Sequence, residues 1–121
     1  MTMDQAPNLP RVVDIADVEW AEHPRFAGVF MRALLTRADN ALANVSMVQV
    51  PPGREVRRHV HPTQVETVYL LAGKSILTVG QTEIPLEAGQ LTAIPSGLEH
   101  ALRNVGAEPV ELLAFFTPPI R

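Results

Sequence analysis

The segment GREVRRHVHPTQVETVYLLAG, residues 53–73, decides how the whole chain is read. His59 and His61 stand two apart, and in a strand, whose side chains alternate with period two, both imidazoles leave the same face. Glu66 follows the turn-like His61-Pro62-Thr63-Gln64 and opens the next apolar run, so its carboxylate can return to the same point. A second segment, GQLTAIPSGLEHALRN at residues 89–104, places His100 just after the Pro95-Ser96-Gly97 turn and offers a fourth donor from across a sheet. Three imidazole nitrogens and one carboxylate oxygen suit one borderline divalent ion, Mn, Fe, Co, Ni, Cu or Zn. Calcium and magnesium prefer all-oxygen shells and are disfavoured. Gln64 is a rival for approach to the ion or to a bound ligand, but the anionic oxygen of Glu66 better offsets the ion's charge.

Outward from these two segments the chain keeps the same rhythm. VSMVQV (45–50), ETVYLLAG (66–73), SILTVG (75–80), TEIPLEAG (82–89) and VELLAFF (110–116) are short apolar runs closed by glycine or proline. Eleven prolines in 121 residues, about twice the usual share near 5%, punctuate strands and turns, not long helices. Such spacing predicts an all-β sandwich or barrel. MRALLTRADNALANV (31–45) would also suit an amphipathic helix, but Asp39-Asn40 in its middle and the run GVFMRALL before it favour two strands of a hairpin. Residues 1–10, with Pro7 and Pro10, read as an arm, and residues 11–121 as one domain.

The spacing of these residues resembles the cupin family, whose two signatures are G-x5-H-x-H-x4-E-x6-G and G-x5-P-x-G-x2-H-x3-N. Gly53, His59, His61, Glu66 and Gly73 meet the first; Gly89, Pro95, Gly97, His100 and Asn104 meet the second. The resemblance covers residues 53–104 and implies a double-stranded β-helix, a jelly-roll barrel, with a metal ion held by His59, His61, Glu66 and His100. It implies either a metal-dependent enzyme of the dioxygenase, isomerase or decarboxylase type, or a module that captures a small molecule or metal without turnover.

Composition narrows the partners. Charged residues make up 19% of the chain, the net charge is -3, and the basic residues are scattered, so a nucleic-acid partner is excluded from the reading. The absence of cysteine removes thiolate chemistry, disulfides and Cys-ligated metal. No stretch is long and apolar enough to span a membrane, and no signal-like h-region opens the chain, so a cytoplasmic setting is expected. Two residues are candidate catalytic groups: Gln64, and Arg57, which shares the parity of His59 and His61. Arg57 either enters the cavity to hold a substrate carboxylate or makes a rim ion pair with Glu55 or Glu99. Val68, Leu70 and Leu102, in phase with the ligands, predict a largely apolar cavity for a small organic acid, enol or diketone-like ligand. Tyr69 is out of phase and should face away; His23 reads as a surface or loop histidine, and Asn104 as a strand-end residue satisfying backbone groups. A homodimer is expected, because VFMRALL and the segment around Trp20 are apolar runs that a small barrel need not bury.

Overall fold

Between the glycine and proline breaks the chain forms β1 (Ala21–Glu22), β2 (Phe30–Leu35), β3 (Asn44–Val50), β4 (Glu55–His59), β5 (Val65–Ala72), β6 (Lys74–Val79), β7 (Thr82–Glu87), β8 (Leu91–Ile94), β9 (His100–Asn104) and β10 (Val110–Thr117). The computed structural model describes residues 9–121. The expected N-terminal arm therefore lies mostly outside the described residues, and Leu9 and Pro10 are exposed coil. Among the described residues the helical content is a single 3-10 turn, Ile15–Asp17, and no helix is long and apolar enough to cross a membrane.

All strand pairs are antiparallel, in a six-stranded sheet of order β1-β2-β3-β10-β5-β8 and a four-stranded sheet of order β4-β9-β6-β7. This is the double-stranded β-helix. The apolar faces of both sheets are buried together, with Val50, Leu70 and Val110 fully enclosed and Leu77, Leu86 and Leu102 opposite. Each such side chain contributes about 1.5–3 kcal/mol through removal from water. The ambiguous stretch after Met31 forms the β2–β3 hairpin, in which Met31 pairs with Val48 and Ala33 with Ser46. Its connection is longer than a tight turn, and Asp39 closes it by accepting a hydrogen bond from the Thr36 N–H at 2.9 Å.

Two motif residues hold the barrel's corners. Asn104 is buried and donates from its amide to the carbonyls of Val50 at 2.9 Å and Glu108 at 2.8 Å, while its oxygen accepts from Gly106 N–H at 2.8 Å. It is a structural tie, as its strand-end place suggests. Gly97, at φ 78°, makes the turn before β9 and donates its N–H to the His61 carbonyl at 2.8 Å. That bond joins the second glycine-bounded segment to the first at the point where the histidines gather.

Candidate metal centre

His59 ends β4 and pairs across the four-stranded sheet with His100 at the start of β9, His61 lies two residues past the end of β4, and Glu66 lies near the start of β5 in the opposing sheet. One potential ligand atom from each of the four lies within 4.8 Å of the others. Donors bound to one ion at roughly 2.1 Å are at most about 4.2 Å apart, so small side-chain shifts bring all four onto a single ion. The His59 and His100 rings are 4.3 Å apart, with Phe26 5.0 Å from His59 and Phe116 4.9 Å from His61, which walls the cluster with aromatic surface.

The hydrogen bonds fix the tautomers that a metal needs. His59 Nδ1 donates to the Arg57 carbonyl at 2.6 Å and His100 Nδ1 to the Leu98 carbonyl at 2.8 Å, which leaves each Nε2 turned inward. Backbone anchoring of the outer nitrogen is the usual second-shell arrangement of a metal-bound histidine. His61 Nε2 is buried and has no hydrogen-bond partner among the described residues; Glu66 Oε1 is 3.5 Å away, too far for a good bond but close enough to feel its charge. A buried nitrogen without a partner is a cost that a bound ion removes. The donor set and this orphan both fit a divalent transition ion.

Protonation follows the same geometry. Burial pushes the His59 pKa down to about 4, against the upward pull of the Arg57 carbonyl, with the positive forms of His100 and His61 lowering it further. Burial alone would raise Glu66, yet the hydrogen bond from His100 and the close approach of the His61 ring outweigh it and hold the carboxyl at about 2. His100 is also opposed by burial, but its bonds to Glu66, at 3.1 Å, and to Leu98 raise it above the ordinary histidine value. Both His100 nitrogens face acceptors, which favours the doubly protonated ring, and a bound ion would take the place of the proton on Nε2.

The cluster sits in a cavity of about 370 Å³ between the sheets. Val68 and Leu102 line it as expected, whereas Leu70 is fully buried in the core and does not reach it. Tyr69 faces outward and is 37% exposed.

Arg57 is not in this cavity. The pairing of β4 with β9 steps from Val56↔Leu102 to His59↔His100, three residues against two, and this bulge reverses the parity of the strand between them. Val56 and His59 consequently both line the cavity, while Arg57 is exposed in a surface groove with Gly53, Arg54 and Arg103. The alternative rim pairing belongs to its neighbour: Arg58 meets Glu99 at 3.2 Å and the Gly80 carbonyl at 2.8 Å. Gln64 is half-buried in its loop and is absent from the cavity lining.

Other polar groups of the cavity come from places that strand parity did not reach. His23 lines it, half-buried, and burial, followed by the charges of Arg121, His59 and Arg25, pushes its pKa to about 4. Ser46, Arg25 and Arg121 also line the cavity. Ser46 had a signal in the sequence, as a hydroxyl in the apolar phase of Val48 and Val50; His23 and Arg121 had none, since they reach the site from segments distant in the chain.

Comparison with known proteins agrees with the barrel. The family model for the cupin domain matches residues 46–116, so the chain belongs to the cupin family. It is 31% identical over 111 residues to the polyketide synthase CurC of Streptomyces cyaneus, covering 90% of this chain and 70% of that protein. It is 31% identical over 67 residues to an oxalate-binding protein of Thermotoga maritima, a match spanning 55% of each. Among solved structures, a predicted oxalate decarboxylase from Thermotoga maritima superposes with a TM-score of 0.81 at 25% identity, over 89% of this chain and 99% of that one. The polyketide cyclase RemF from Streptomyces resistomycificus, at 19% identity and a TM-score of 0.78 over 90% of this chain and 80% of that one, shares the fold.

Proposed function

We propose that this cupin is a mononuclear metal enzyme whose divalent transition ion is held by His59, His61, Glu66 and His100, and whose substrate is a small organic acid, enol or diketone. The observation that carries this reading is the convergence of four inward donors, one of them an orphaned imidazole nitrogen, in a cavity with mostly apolar walls. A bound ion there would polarise a substrate oxygen and support oxygenase-type chemistry. The protein's own side chains orient the donors through the Arg57 and Leu98 carbonyls, keep Glu66 ionised, and keep water from the substrate skeleton with Val68, Leu102 and Phe116. A diketone or enol accords with the polyketide names among the relatives. The second reading, capture without turnover, is favoured by the relative named as an oxalate-binding protein.

Protein loaded in turn with Mn, Fe, Co, Ni, Cu and Zn should take up one ion per chain, and at least one form should consume dioxygen in the presence of 2,4-pentanedione. Saturable binding of the diketone with no dioxygen uptake and no product, aerobically or anaerobically, would establish the binding module instead.

A homodimer belongs to the same proposal, on a different surface from the N-terminal runs. Val29, Met31 and Leu34 are buried within the chain, and the Arg32 guanidinium covers the Trp20 ring at 4.2 Å, so those runs are not left open. The open apolar surface lies on β5 and the edge strand β8, where Tyr69 pairs with Leu91 beside Leu71, with exposures of 37%, 67% and 39%. Light scattering at micromolar concentration should give twice the chain mass, and Leu91→Lys should return it to the single-chain value; a parent that is already monomeric removes the dimer.

A further inference from the structure

The cavity has a second set of polar groups besides the histidine cluster, built around Arg121. Its guanidinium donates from Nη1 to Ser46 Oγ at 3.3 Å and has no carboxylate partner among the described residues. Burial removes much of its water and lowers its pKa, yet an arginine keeps its charge in any protein site. A half-buried cation with one weak neutral partner is under-satisfied.

The segment that carries it is held in place. Asn44 Oδ1 accepts from the Ile120 N–H at 2.8 Å, and a main-chain oxygen of Arg121 accepts from the Arg37 N–H at 2.9 Å. Asn44 is fully buried, so the backbone at Arg121 is fixed to the inner edge of β3. His23 stands close enough for the Arg121 charge to oppose its protonation, and its Nδ1 already accepts from the Arg25 N–H at 3.0 Å. The neutral ring therefore carries its proton on Nε2, a donor like Arg121 and Ser46.

We propose that Arg121, assisted by Ser46 and His23, is the carboxylate-binding end of the cavity, and that the ligand is an organic acid whose second oxygen reaches the histidine cluster. The role that strand parity suggested for Arg57 passes to this residue. Across the six-stranded sheet, Ser46 pairs with Ala114 and Ala114 with Val68, two strand spacings of roughly 4.8 Å each. Glu66 projects from the same strand as Val68, so Ser46, the partner of Arg121, stands two strands away from the strand of Glu66, while His23 lies nearer the cluster, within reach of the charges of His59 and Glu66. The wall between Ser46 and Glu66 is apolar: Val48, Val68, Leu112, Ala114 and Phe116. The substrate class is thus a carboxylic acid with an apolar or aromatic spacer before its metal-directed oxygen, and a diacid as short as oxalate can touch one end only.

This deepens the metal-enzyme reading and rests on it for the second oxygen alone, so the two are tested apart. Calorimetric titration would use 4-hydroxybenzoate, its neutral analogue 4-hydroxybenzamide, and oxalate, against chelator-treated and metal-loaded protein. The acid should bind roughly 10- to 100-fold more tightly than the amide in both forms of the parent, the range of one charge-assisted contact. Arg121→Gln should abolish that preference, Arg121→Lys should keep part of it, and metal content should stay at the parent level. In R121Q, where the ion is the one end left to it, oxalate should bind the loaded protein and not the chelator-treated one; no gain on loading would count against the ion while leaving the acid-to-amide ratio to judge Arg121. A parent with no preference for the acid, including one that binds neither aromatic probe, overturns the proposal. So does an R121Q protein that keeps the preference.

Discussion

His100→Ala should weaken binding of a divalent transition ion by more than 100-fold and leave the barrel folded. Loss of a group that merely orients a metal ligand costs about 10- to 100-fold, and this substitution removes a ligand together with the ring that sits 3.1 Å from Glu66 Oε1. The barrel should survive because the backbone of β9 keeps its pairings with β4 and β6. The local cost is the unpaired Leu98 carbonyl, about 1–3 kcal/mol. Competition with a chromophoric chelator gives the affinity and far-ultraviolet circular dichroism gives the fold; an affinity within tenfold of the parent would remove His100 from the site. The pH dependence has a definite sign. The metal-free site holds a proton on His100 up to a raised pKa, and the ion must displace it, so below that pKa the apparent affinity falls about tenfold per pH unit. Above it the dependence on this group vanishes. His59, neutral down to about pH 4, adds its own proton competition only in more acidic solution.

Gly73→Ala should be the most destabilising of the glycine substitutions, by roughly 2–5 kcal/mol. The backbone there has φ 91°, and a Cβ would lie 2.7 Å from the Pro109 carbonyl oxygen and 2.9 Å from Val110 Cα. The left-handed conformation costs an L-residue about 1–2 kcal/mol, and forcing backbone apart beside a packed strand adds about 1–3 kcal/mol. Gly53, at φ 76° with nothing within 4 Å of an added methyl, provides the comparison, since G53A meets only the first of these costs. Urea denaturation at constant slope measures both. Equal losses at the two positions would show that the close approach of Pro109 and Val110 is absent in solution.

The part of the site that was legible from the sequence is the part built on regular pairing and turns. His59 and His61 share a face, Glu66 returns from the next strand, and the turn at Gly97 delivers His100 opposite His59. The hairpin from Phe30 to Val50 was legible too, because Asp39 and Asn40 oppose a continuous helix. Arg57 shows where period two stops working. One extra residue in β4 exchanges inside for outside, and nothing in Val56-Arg57-Arg58-His59 marks the bulge, since both arginines tolerate solvent and the strand is short. His23 and Arg121 were illegible for another reason: their places depend on long-range ties, such as Asn44 to Ile120, which leave no local periodicity to read.

The tie between Asn44 and the Ile120 N–H also separates two engineering problems that are usually entangled. The inner end of the cavity is written into paired strands, where a change of side chain disturbs neighbours in both sheets. His23 and Arg121 line the same cavity from segments outside the strands, and their side chains make few hydrogen bonds. If these positions hold the ligand as proposed, its preference could be rewritten there with little penalty in melting temperature, while the arrangement of the four inner donors stays as the barrel sets it.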